Sequence, residues 1–152
     1  MITIERMRAI LFLLFVVLIP GVSGAEVKGQ VIINSYHNIQ NENFDYNLNV
    51  LTSFLQSEGF GYKVSYAPIS YPLLKNYDTF VLMLPAKEPL TTGEINAVLQ
   101  FAQEGGGVLL IGESKDYVIS TADNRTTTFN ADYLNALSKK FGITFNKDTL
   151  AE

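Results

Sequence analysis

The chain has 152 residues, 47% hydrophobic and 17% charged, with a formal net charge of −4 and no cysteine. This is the size and balance of one globular domain, and it excludes a disulfide framework, a Cys-rich zinc site, a thiol nucleophile and an acylated lipoprotein cysteine. The eleven Lys and Arg residues are scattered rather than banked into a stripe, so no basic field gathers nucleic acid, and nucleic acid is not an expected partner.

The N-terminus has the pattern of a targeting segment. Arg6 and Arg8 precede an apolar run from Ala9 to Ile19, Pro20-Gly21 break it, and Ser23-Gly24-Ala25 supply small residues for cleavage. Cleavage there would start the mature chain near Glu26. The alternative is an uncleaved signal anchor, because no charge falls between Arg8 and Glu26 and that stretch reaches the lower limit for spanning a bilayer. Either outcome predicts an exported domain, extracellular or tethered to the outer face of the cytoplasmic membrane through residues 1–25. Without those residues the balance is nine basic against fourteen acidic side chains.

From residue 27 onward, buried-strand runs alternate with amphipathic helices, the pattern of a parallel sheet covered on both faces. Val31 to Ser35 is the first predicted strand. Phe44, Leu48, Leu51 and Leu55 then recur at helical spacing until Gly59 supplies a left-handed stop. Tyr62, Val64 and Tyr66 alternate as a second strand nearer the sheet edge, and Pro68 and Pro72 keep the next connection irregular. Phe80 to Leu84 is apolar on both faces, which places it centrally. Thr91-Thr92-Gly93-Glu94 is a capping box opening a helix with Ile95, Val98, Leu99 and Ala102 on its inner face. Gly105-Gly106-Gly107 stop that helix and lead into Val108 to Ile111, a fourth buried strand. Glu113 to Phe129 is the longest irregular stretch, longer than ordinary connections and suited to a lid or partner contact. Asn130 then caps a helix with Leu134, Leu137 and Phe141 inward, Lys139 and Lys140 near its negative end, and Gly142 stopping it.

Tyr77-Asp78 before FVLML, Pro85, TTGEINAVLQFAQEGGGVLLIGES and LNALSKKFGITFNKDT together resemble the class I glutamine amidotransferase-like domain. Within it, they are similar to the non-catalytic group found in archaeal exported proteins, gliding-motility transporter auxiliary proteins and an intraflagellar-transport subunit. The resemblance covers residues 29 to 150 and implies a three-layer, flavodoxin-like α/β fold. Its mainly parallel sheet would have about four strands in the order 2-1-3-4, behind an N-terminal signal helix. In the wider family the last of these strands feeds a turn bearing a catalytic Cys, with a His and a Glu later in the chain. Here the turn reads Gly112-Glu113-Ser114-Lys115-Asp116, and the single His lies far upstream. The resemblance therefore implies a member without amidotransferase chemistry. Relatives of that kind continue past FGITFNKDT with further strands, which implies a chain truncated at its C-terminus.

Open parallel sheets bind ligands beyond the carboxyl ends of their strands, where the strand order reverses. Three loops are expected there. Tyr36, His37 and Asn38 begin the first, an Asn-rich run with six Asn between residues 34 and 49; Lys87 and Glu88 lie in the second, and Glu113, Ser114 and Lys115 in the third. Amides, both charges and Tyr rings suit a polar small molecule or sugar, and the same surface suits a protein partner in a surface or transport assembly. No cofactor is implied, and one His leaves no second imidazole to share a metal. The bland counterpart for His37 is a loop residue bonded to its neighbours; for Glu113 and Asp116 it is a solvated turn.

The expected function is thus a non-catalytic binding module. A serine hydrolase using Ser114 and His37, with Glu113 as the acid, is the alternative, although Asp116 replaces the second glycine that a nucleophile elbow needs. A remnant without activity is the third reading. Asn124-Arg125-Thr126 is a sequon open to glycosylation in a suitable host.

Overall fold

The computed structural model describes residues 27–38, 42–112, 117–120, 125–128 and 130–146. The signal segment, Glu113, Ser114, Lys115 and the sequon residue Asn124 lie outside the described residues. Strand β1 (Gln30–Asn34) is followed by helix α1 (Glu42–Ser57), β2 (Gly61–Ser65), a one-turn helix α2 (Tyr71–Leu74) and β3 (Thr79–Met83). Helix α3 (Thr92–Gln103), β4 (Gly107–Ile111), β5 (Tyr117–Ser120), β6 (Arg125–Thr128), α4 (Asn130–Ser138) and a 3-10 turn (Lys139–Phe141) complete the order.

Strands β2-β1-β3-β4 form one parallel sheet, the α/β arrangement expected from the alternating pattern. Register follows from the pleat: Ile32 of β1 lies between Lys63 of β2 and Phe80 of β3. Its side chain and those of Phe80 and Leu82 then point to one face, while Val31, Ile33, Val81 and Met83 point to the other. On the first face they pack with Leu74 of α2, Val98 and Phe101 of α3, and Leu134 and Leu137 of α4. On the second they meet Phe44, Leu48 and Leu55 of α1. These are the three layers. Because β1 and β3 are covered on both sides, each reads as a continuous apolar run.

Helix ends follow the chemistry of the sequence. Gly59 at φ +79° and Gly105 at φ +97° take the left-handed conformation after α1 and α3, which glycine adopts without the Cβ clash other residues meet. Gly106 lies under the Phe101 ring, where a Cβ would fall 2.3 Å from ring carbons. The triple glycine is therefore a helix stop and a close-packed entry to β4. At the far end, Asn135 of α4 donates to the Phe145 carbonyl at 2.9 Å and accepts from its N–H at 2.8 Å. That pair ties the segment after the helix back onto it.

Several expectations are corrected. β4 is the outer strand of this sheet among the described residues, as the order 2-1-3-4 implies, but it is only part-buried where its apolar run suggests a buried strand, and Leu109 is 45% exposed on the face that α1 leaves open. The stretch from 113 to 129 contains an antiparallel hairpin, β5 with β6, in which Tyr117 is opposite Thr128. Its Thr-rich second strand reads as polar loop by composition, yet Thr is β-branched and suits a strand. Pro72 sits in the first turn of α2, where its missing N–H costs no bond. Phe141 is 38% exposed because the helix tightens into a 3-10 turn and rotates it off the core face. On α3 the fully buried positions are Glu94, Ala97, Val98 and Phe101, with Ile95, Leu99 and Ala102 only half-buried. No helix among the described residues is long and apolar enough to cross a membrane.

Leu82, fully buried in the central strand, and Leu109 make a direct contrast. Leu82→Ala is expected to cost about 2–5 kcal/mol through lost burial and the cavity left behind, and Leu109→Ala below about 1 kcal/mol, both measured by urea unfolding at pH 7.

Candidate functional site

The connection leaving β1 goes to β2 on one side, and the chain then returns to β3 on the other, so the strand order reverses between β1 and β3. A cavity of about 620 Å³ opens at that end of the sheet. Tyr36 and His37 reach it from the β1 connection, Pro68 to Tyr71 from the connection after β2, and Glu88 and Pro89 from the one after β3. Thr91, Gly93, Glu94, Asn96, Ala97 and Gln100 complete its wall from the N-terminal half of α3.

Glu94 organises this corner. It is the third residue of α3, so the capping box folds its side chain back over the helix start. Its Oε2 accepts from the Thr91 N–H and the Thr91 hydroxyl, both at 2.9 Å, while its own N–H donates to Thr91 Oγ1 at 3.3 Å. Its Oε1 accepts from the Ile69 N–H at 3.0 Å and faces His37 Nε2 at 2.8 Å. Burial pushes this carboxyl upward, but the Thr91 N–H, the His37 ring, the Ile69 N–H and the Thr91 hydroxyl together outweigh it. The net shift is downward from the ordinary glutamate range.

His37 is 1% exposed. Its Nδ1 lies 3.0 Å from the Glu88 carbonyl oxygen, which only accepts, so Nδ1 carries a proton. Nε2 faces the Glu94 carboxylate at hydrogen-bond distance. The His37 carbonyl accepts from the Ala86 and Lys87 N–H groups, both at 2.9 Å. Asn38 is equally buried, and its amide donates to the Leu84 carbonyl at 3.1 Å and to that of Met83. Leu84 has φ +47°, a left-handed conformation costing a non-glycine residue roughly 1–2 kcal/mol. Its N–H donates to Ile111 at 2.8 Å, so β4 and Asn38 hold it from both ends.

Two tyrosines flank the cleft. The negative charge of Glu88, then partial burial and a hydrogen bond to the same carboxylate, push the Tyr36 phenol upward. Lys87 Nζ lies 5.1 Å from the centroid of the Tyr36 ring, and the edge of that ring meets the His37 imidazole at 5.1 Å. Across the cleft the Tyr71 hydroxyl donates to Glu104. That bond, followed by burial and the charge of Glu104, pushes the Tyr71 phenol upward, and the same bond, with the Gln100 amide, pulls Glu104 downward.

Of the residues singled out in the sequence, Tyr36, His37 and Glu88 line the cavity, Lys87 sits against its wall over Tyr36, and Asn38 is turned into the core. The connection from Pro68 to Tyr71 was not expected in the site. Its Pro-rich composition signals only an irregular link, and no local pattern shows that Ile69 donates to Glu94. Glu94 itself was legible as a helix cap, not as the partner of a histidine 57 residues away. Among the described residues no group of three or more His, Cys, Asp or Glu is placed to hold a metal ion. Comparison with protein-family models, curated proteins and solved structures gives no match to the chain.

The corner carries a pH signature. A carboxyl held below its ordinary range contributes stability that is fully present above that range, near pH 4.3, and is lost as pH falls through the lowered value. Glu94→Ala is expected to cost about 3–5 kcal/mol at neutral pH by leaving His37 and two buried N–H groups without their acceptor. The difference from the parent should shrink toward pH 3. Chemical denaturation at both pH values measures it.

Proposed function

We propose that the chain is a non-catalytic, exported or membrane-tethered amidotransferase-like module that holds a small polar organic ligand in the cleft at the ends of β1, β2 and β3. The observation that carries this reading is the state of His37. A serine hydrolase needs an imidazole nitrogen free to take the nucleophile's proton, and both nitrogens of the single histidine face acceptor oxygens at hydrogen-bond distance.

Ligand binding is supported by the cleft. Its volume, about 620 Å³, falls within the span of small-molecule sites, and it opens where parallel sheets ordinarily bind. Ile69 and Ala97 form an apolar floor, and Ser70, Glu88, Asn96 and Gln100 bring polar groups to it. Export or tethering is supported by Arg6, Arg8 and the apolar run from Ala9 to Ile19. Kinship with the amidotransferase-like group is supported by the Thr91–Ser114 motif and the strand order 2-1-3-4.

Gly93 offers a clean test, since a Cβ there meets nothing within 4 Å except Thr91 Oγ1 at 3.9 Å. Because Gly93 lines the cavity, the indole of Gly93→Trp is expected to occupy cleft volume. In ligand-observed NMR against monosaccharides, polyols and small amines, the parent is expected to bind at least one class, Gly93→Trp to bind none, and Ser114→Ala to bind as the parent does. Silence across the panel, or equal binding by Gly93→Trp, would contradict the assignment.

A further inference from the structure

We propose that the cleft selects an organic cation, an amine or quaternary ammonium group on an apolar body, with its charge held at Glu88. This rests on reading the cleft as a ligand site and adds the charge of the ligand.

The residues lining the cavity include no Lys or Arg, and the Lys87 ammonium beside its wall is engaged over the Tyr36 ring. The two carboxylates in the wall differ in how they are satisfied. Glu94 already has the His37 ring and three further donors from Thr91 and Ile69. Glu88 is half-buried and has no Lys or Arg within ion-pair distance among the described residues. A carboxylate partly withdrawn from water and lacking a cation gains most from a ligand that supplies one.

The aromatic walls point the same way. A phenol that donates its proton to a carboxylate has a more electron-rich ring, and such rings attract cations over their faces. Tyr36 stands beside Glu88, and Tyr71, which also lines the cavity, donates to Glu104. The chain itself supplies the cation on the first of these rings, since Lys87 Nζ lies 5.1 Å from the Tyr36 centroid, which leaves the Glu88 carboxylate as the anchor for the ligand's charge. Between the tyrosines the floor of Ile69, Pro68 and Ala97 receives an apolar body.

Three probes of nearly equal size separate the charge states: 2-phenylethylammonium, 2-phenylethanol and 3-phenylpropionate, titrated into the 15N-labelled full chain at pH 7. The ammonium is expected to shift the Ile69, Gly93 and Ala97 amides with a dissociation constant about tenfold below that of the alcohol, a difference of about 1.4 kcal/mol. The carboxylate is expected to cause no shift. Glu88→Gln keeps the backbone carbonyl that His37 uses and should bring ammonium and alcohol within about twofold. The proposal is overturned if the alcohol or carboxylate binds as tightly as the ammonium, or if Glu88→Gln keeps the full preference. Cleft shifts from the alcohol or carboxylate alone would leave the ligand site standing and remove the cation, whereas three silent probes would remove both.

Discussion

One buried carboxylate holds three connections together. Glu94 receives the His37 ring from the segment after β1, the Ile69 N–H from the segment after β2, and the Thr91 N–H and hydroxyl from the segment after β3. None of these segments has a regular ladder to satisfy its polar groups, and buried backbone donors left unpaired cost several kcal/mol between them. A single charged acceptor meets them all at once. The cleft exists because the loops that wall it are pinned to this point.

The parallel sheet makes the arrangement possible. Parallel strands deliver every connection to α1, α2 and α3 from one end of the sheet, and the reversal of order between β1 and β3 separates the connections leaving those two strands across a crevice. His37 and Asn38 then fasten the β1 segment to the β3 segment with both backbone and side chain. Some strain remains. Leu84 keeps a left-handed backbone, and the side-chain oxygens of Asn34 and Asn38 are buried without a donor among the described residues. Such features gather where a structure is shaped for a task other than its own stability.

Most of the scaffold was legible in the sequence because its signals are local. FVLML announces a strand covered on both faces, Thr91 and Glu94 announce a helix start, and Gly59 and Gly105 announce helix ends. The site was legible only in part. His37 and Glu88 stand out as polar residues after predicted strands, but the contacts of His37 with Glu94 and the Glu88 carbonyl, and of Ile69 with Glu94, are made by the sheet, which brings together positions 25 to 57 residues apart. The half-exposed β4 was misread for a related reason: an apolar run signals a strand that suits burial, and only the neighbours decide whether it is covered.

The account depends on His37 being a strut with both ring nitrogens engaged in hydrogen bonds, not a base with one nitrogen free. Its ring nitrogens can be observed directly by 15N NMR of the imidazole in the full chain, since it is the single histidine. The account predicts a hydrogen bond at each nitrogen, with the Nε2 signal altered in Glu94→Gln and the Nδ1 signal retained. A ring with one unprotonated nitrogen that ignores Glu94→Gln would contradict it and return His37 to the pool of candidate bases.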